Sequence, residues 1–232
     1  AGRGIEDGEQ VLDILASQAS TANFISRKLC RRFIADDPPA SVVAVAAAAF
    51  RANGGDIRGV LGTILKSPEF AAALDTKVKR PLEFICAAMR TLIVSYTAQA
   101  ADPLRFALYS MGQLPFFWRA PDGYPDLAQA WVNSNNLLLR WNLATAFGYN
   151  KMPGLGSTLL SKLPSGLTPT ALVDQLANQL LHRPLDAGDR TALINYAAQG
   201  LSPSKPMPSS LQKAMAPELA SLMLASPYFQ WR

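Results

Sequence analysis

The chain has 232 residues, 49% of them apolar and 17% charged, with a net charge of +5. That length admits one large or two small domains, and the apolar share is enough for a substantial core. The charge is spread, with 15 basic and 13 acidic groups over residues 1–150 and 7 and 4 over 151–232, which is not the dense basic face of a nucleic-acid binder. The longest unbroken apolar run, Val42 to Phe50, is about half of what a bilayer crossing needs. Neither a nucleic-acid partner nor a membrane span is expected.

The opening Ala1-Gly2-Arg3-Gly4 lacks an initiating Met and the basic-then-apolar layout of a signal peptide, and is expected to be a cut end, so that the chain is a processed fragment. Glu9 to Leu15 predicts a short amphipathic helix with Val11, Leu12 and Leu15 on one face. Ser20 or Thr21 then caps a helix to about Ala35, which Asp36-Asp37-Pro38-Pro39 stops because proline cannot continue it. Ser41 caps an Ala/Val-rich helix to Ala52, and Asn53-Gly54-Gly55 ends it. Asp56 caps a helix carrying Ile57, Val60, Leu61 and Ile64, and Ser67-Pro68 starts a short one. Further helices are predicted from Lys79-Arg80-Pro81 to about Tyr96, from Asp102 to about Met111, and from Asp126 to Phe147. Three more follow at about 168–182, 187–199 and 209–225.

The pattern predicts an all-α fold, a multi-helix bundle with a smaller C-terminal three-helix unit and little or no β-sheet. Residues 1–150 form the main bundle, the Gly, Pro and Ser of 151–167 a linker, and 168–232 the smaller unit. A faint internal echo relates Leu61-x-x-Ile64-Leu65-x-Ser67-Pro68-x-Phe70 to Leu219-x-x-Leu222-Met223-x-x-Ser226-Pro227-x-Phe229.

Cys30 and Cys86 have no metal or redox spacing; each falls on an apolar helical stripe, so two buried thiols are expected, with a disulfide the alternative. No P-loop, dinucleotide glycine motif or zinc spacing is present, and the single histidine, His182, sits where a helix end suits a cation. No cofactor and no metal are therefore expected.

The unusual stretch is 112–126. Phe116, Phe117, Trp118, Arg119 and Tyr124 lie between prolines, and rings of that kind are costly to expose, so a rigid latch over the core or over a missing part of the parent chain is expected, or else a ligand-recognition loop. Asp122-Gly123 makes a turn and Asp126 caps the following helix. On that helix Trp131, Asn135, Leu138, Asn142 and Thr145 share a stripe, and its amides need partners, in the loop's backbone or in a ligand. Arg27, Lys28, Arg31 and Arg32 form rows at i and i+4, a solvated face pairing with Asp36 and Asp37 or else an anion or docking face.

Val11-Leu12-Asp13-Ile14-Leu15-Ala16, Thr21-Ala22-x-Phe24-Ile25-x-x-Lys28-Leu29, Gly55-Asp56-Ile57, Lys77-Val78-Lys79-x-Pro81-x-Glu83-Phe84 and Met111-Gly112-Gln113-x-Pro115-Phe116 occur in the order of a bacterial family known as domain of unknown function 1800, which this chain resembles. The resemblance implies a longer exported protein, periplasmic or extracellular, whose C-terminal half this would be. Family members commonly continue the loop as Gly-Trp-Pro-Gly-Gly before a tryptophan, where this chain has Gly123-Tyr124-Pro125-Asp126 before Trp131. The resulting expectation is a structural or binding domain that meets the N-terminal part of its precursor, or another partner, through loop 112–126; a homo-oligomer is a further option. The alternative is one wall of an enzyme site, lined by Asp122, Tyr124, Asn135 and Arg140 and completed by the N-terminal half.

Overall fold

The computed structural model describes residue 2 and residues 4–232; Ala1 and Arg3, part of the expected cut end, lie outside the described residues. The chain is predominantly helical, as the pattern predicts, with twelve α-helices and one two-stranded sheet among the described residues. It divides into two compact units, Ala1–Lys77 and Val78–Arg232.

The first unit holds α1 (Ile5–Ser17), α2 (Ala19–Phe33), α3 (Ala40–Ala52), α4 (Ile57–Leu65) and α5 (Pro68–Ala71). Its core is built from Ala22 and Cys30 of α2, Val42, Ala46 and Phe50 of α3, and Val60 and Ile64 of α4. The small residues of α2 and α3 let these helices pack on each other, and α3 packs on α4 in turn. Two of the caps read from the sequence are in place: the Asp56 carboxylate accepts from the amides of Arg58 (3.2 Å) and Gly59 (2.8 Å), and Ser67 accepts from Phe70. Ser41 is not a cap; its hydroxyl donates to Glu69 at 2.9 Å. The end of the unit is tied back by a nearly buried Lys77, whose ammonium lies 2.6 Å from the Asp36 carboxylate, and by the Thr76 hydroxyl, which donates to the carbonyls of Ile34 and Ala73.

Both cysteines are free thiols, Cys30 buried and Cys86 exposed. The expectation of two buried thiols is thus corrected for Cys86, because the buried face of its helix is Pro81, Phe84, Ile85 and Ala88. Burial, with help from the Glu69 carboxylate, pushes the Cys30 thiol up from 9.0 to about 11. An unfolded chain would ionise this thiol first, so native stability falls as pH rises from 9.0 toward about 11. At pH 8 a thiol reagent should modify Cys86 readily and Cys30 only after denaturant is added, as mass spectrometry of the labelled chain would show.

The second unit comprises α6 (Pro81–Thr91), β1 (Val94–Tyr96), α7 (Ala101–Ser110), α8 (Ser134–Gly148), β2 (Leu155–Ser157), α9 (Pro169–Leu181), α10 (Ala187–Ala198), α11 (Ser209–Ala225) and α12 (Pro227–Gln230). α6 stops at Thr91 rather than near Tyr96, because Ile93 takes a left-handed backbone (φ 52) and the strand beyond it pairs antiparallel with β2, Val94 opposite Ser157 and Tyr96 opposite Leu155. Residues 151–167 lie inside this unit and not between two units: Met152, Leu155 and Leu159 are buried in its core with Leu172, Leu176, Leu219 and Phe229. α8 begins at Ser134, not Asp126, since the Asn133 side chain caps it by accepting from the Asn136 amide at 2.9 Å. The internal echo has a structural counterpart, as both α5 and α12 are one-turn helices opened by Ser-Pro.

α8 packs extensively along α11, and Gly148 permits their close approach at the end of α8. A Cβ there would sit 2.2 Å from Ser221 Oγ and 2.8 Å from the Pro217 carbonyl oxygen, so only a hydrogen fits at the crossing. Gly148→Ala should therefore cost about 1–3 kcal/mol by overpacking despite alanine's better helix propensity, a loss that urea unfolding followed by circular dichroism would register.

Candidate functional site

The loop between α7 and α8 is held at both ends by the start of α6. At one end the nearly buried Gln113 accepts from the Leu82 amide at 2.9 Å, supplying a partner that the first turn of a helix cannot find within itself. At the other, the Asp126 carboxylate comes within 4.0 Å of the Arg80 guanidinium, which also meets Glu83 at 3.0 Å; Arg232 lies 3.5 Å from the same Glu83. Asp126 therefore anchors the loop and caps no helix.

Three hydrogen bonds from side chains help fix the loop's shape. The Tyr124 hydroxyl donates to the Leu114 carbonyl at 2.6 Å, the Trp118 indole N–H to Asp122 at 2.9 Å, and the Trp131 indole N–H to the Pro125 carbonyl at 2.9 Å. The rings of Trp118, Tyr124 and Trp131 lie in series, with centroids 5.0 and 6.0 Å apart, and Phe117 meets Tyr109 of α7 edge to face at 5.9 Å. Only Trp131 is buried. Phe116 is wholly exposed (105%), Phe117 is 59% and Trp118 43% exposed, and Arg119 and Asp122 face solvent.

Phe116 also takes a left-handed backbone, φ 63. For an aromatic residue that conformation costs on the order of 1 kcal/mol or more, and it persists only where the surroundings over-determine it. Here the strain and the exposure coincide at one residue, at the tip of a pinned loop. The expected latch over the core is not what these rings form, since a latch would bury them.

Of the other predicted residues, Asn135 is exposed on α8 and takes no part in the loop. The helix turns a different stripe inward, Asn136, Arg140, Ala144 and Phe147, and the signal that could have found it is the Asn133 cap with Asn136 three residues on. Arg140 is the largest fully buried side chain. Its guanidinium donates to Gln230 Oε1 at 2.8 Å and to the Lys79 carbonyl at 2.7 Å, while lying over the Phe84 ring; its buried Nε has no hydrogen-bond partner. Desolvation brings its pKa down to about 10, opposed by the negative charge of Glu83, so it stays charged at neutral pH. Arg140 thus supports the anchor of the loop from within and offers nothing to a ligand.

Lys79 continues the same join. Its amide donates to the Gln230 carbonyl at 2.8 Å, its ammonium to that of Phe229, and Val78 bridges antiparallel to Trp231. Sequence reasoning missed this join because its partners stand some 150 positions apart in the chain.

In the first unit, Arg27 pairs with Asp37 at 2.9 Å, Arg31 donates to the Asp36 carbonyl at 2.9 Å, and Lys28 lies over the Phe24 ring. The cations of this row are spent in part on the turn that follows them. His182 ends α9 in a left-handed conformation. No group of three His, Cys, Asp or Glu among the described residues could hold a metal ion, and no helix among them is long and apolar enough to cross a membrane.

Arg140→Met should leave two acceptors without their partner and destabilise the second unit by about 2–6 kcal/mol, each lost partner costing about 1–3. A thermal melt monitored by tryptophan fluorescence, with the loop's Trp118 and Trp131 as reporters, is the measurement.

Searches of curated proteins and of solved structures find no match to this chain. A family model does match, over residues 1–231. The chain belongs to the family described as protein of unknown function (DUF1800).

Proposed function

We propose that this chain is a non-catalytic binding domain of an exported bacterial protein, periplasmic or extracellular, and that loop 112–126 is its contact region. The partner is the N-terminal part of the same precursor. The observation that carries the reading is Phe116, a wholly exposed aromatic held in a strained backbone by a loop whose Trp118 and Tyr124 rings are hydrogen-bonded in place. Rigid aromatic anchors with little conformational entropy left to lose are what protein contacts concentrate their energy in. Phe116, Phe117 and Trp118 would enter an apolar recess, with Arg119 and Asp122 at the polar rim.

The same side chains speak against an enzyme wall. The Tyr124 hydroxyl is committed to a carbonyl, the Asp122 carboxylate to an indole, Arg140 to the fold, and Asn135 faces elsewhere on α8. A general acid, base or nucleophile needs a free reactive atom aimed at a common point.

Affinity capture from the cell envelope of the source bacterium tests the proposal. The wild-type chain should retain the N-terminal part of the precursor, and Phe116→Ser with Phe117→Ser should lower recovery at least about tenfold. The substituted side chains are exposed, so the melting temperature should not move by more than about 2 °C. Equal recovery by both chains would sink the loop as contact region.

A further inference from the structure

Of the nine asparagines only Asn53 is followed by glycine. A side-chain amide can be attacked by the backbone nitrogen of the next residue, and a side chain on that residue obstructs the approach. Glycine has none, and its backbone is freer to turn. Asn53 and Gly54 are both exposed, and Gly54 takes a left-handed backbone, φ 58. Its chain neighbours aside, no atom lies within 4 Å of where a Cβ on Gly54 would stand. Other asparagines are engaged: Asn133, followed by the small Ser134, caps α8, Asn136 is buried and donates to the Trp131 carbonyl, and Asn150 accepts from the Ser157 amide at 2.8 Å.

Asn53 closes α3 at φ −100 and ψ 16. Three backbone bonds hold the turn: the Asn53 amide donates to the Ala49 carbonyl at 3.0 Å, that of Gly55 to Phe50 at 2.8 Å, and that of Asp56 to Asn53 at 3.2 Å. Closing a ring between the Gly54 nitrogen and Asn53 Cγ needs ψ of Asn53 to swing far from 16, so the turn acts as a brake. A helix end opens more readily than a core, and the brake is therefore partial.

We propose that Asn53 is a modification site, a spontaneous deamidation whose product loosens the α3–α4 turn. The Gly54 nitrogen bonds to Asn53 Cγ, the Cγ–Nδ2 bond breaks, and the nitrogen leaves as ammonia with the proton that Gly54 gives up. Water then opens the succinimide at either carbonyl and leaves aspartate or isoaspartate. Either product adds one negative charge to the turn, and isoaspartate also carries the main chain through the former side chain. The Asn53 head stands beside Asp56: a Cβ on Gly59 would meet Asn53 Nδ2 at 2.6 Å and Asp56 Oδ2 at 3.1 Å. The Asp56 carboxylate caps α4 through the amides of Arg58 and Gly59, so a second carboxylate beside it weakens the cap by repulsion. α4 supplies Val60 and Ile64 to the core of its unit, and the loss is felt there.

The full chain is held in mildly alkaline buffer for several weeks and mapped by peptide mass spectrometry, each conversion adding about one dalton. Asn53 should convert at least about tenfold faster than any other asparagine, with both aspartate and isoaspartate appearing there. Asp56→Ala removes the cap that steadies the turn and should speed conversion several-fold, in a chain whose helix content by circular dichroism is retained. The converted chain, separated by ion exchange on its altered charge, should melt about 2–4 °C below the unconverted chain. Asn53→Asp, made directly, should shift the melt in the same direction. An Asn53 that stays intact, or that converts no faster than the other asparagines, would overturn the proposal. So would a conversion rate indifferent to Asp56→Ala, or a converted chain that melts with the unconverted one.

Discussion

The second unit depends on one buried cation. Arg140 reaches inward from α8 and grips two strangers in sequence, the carbonyl of Lys79 just before α6 and the side chain of Gln230 at the end of α12. Taking a guanidinium out of water is expensive, and no carboxylate touches it directly; its compensation is two short charge-assisted bonds, the face of Phe84 and the more distant charge of Glu83. Once that is in place, the backbone of 78–80 is fixed against the chain's last residues, and the first turn of α6 becomes a rigid base.

The aromatic loop is built on that base. Gln113 satisfies an amide of the first turn of α6 and Asp126 approaches Arg80 at its cap, so the two ends of the loop are both held at the start of α6. Between them each polar ring atom is spent: Tyr124 on Leu114, Trp118 on Asp122, Trp131 on Pro125. What remains unspent is apolar surface, carried outward by Phe116 and Phe117. A loop that wanted only to shield its own core would turn these rings the other way and relax the left-handed phenylalanine.

The two units handle charge differently. In the first, a lysine that is nearly buried finds a carboxylate at 2.6 Å and closes the end of the unit on the turn after α2. In the second, Arg140 is satisfied by neutral acceptors while the carboxylates of Glu83 and Asp126 serve the more exposed Arg80 and Arg232. These pairs are only partly exposed, and they tie the start of α6 to the loop and to the end of the chain.

The sequence by itself determined the helices and most of their ends, and it singled out the aromatic loop. Periodicity of 3.6, the Asp56 and Ser67 caps and the Gly-Gly and Pro-Pro breaks act within a few residues, so they are legible without the fold. The loop 112–126 was conspicuous for the same reason, as aromatics between prolines are a local anomaly. Only the tertiary structure decided which face of α8 turns inward, because Asn135 and Asn136 are chemically alike and Arg140 reads as a surface residue until Lys79 and Gln230 come to meet it. It likewise ended α6 early, since Val94–Tyr96 becomes strand only when Leu155–Ser157 is beside it, and it exposed Cys86, Phe116 and the apolar stripe of α1. Burial is a property of what packs against a residue, and those partners lie tens of positions away in the chain.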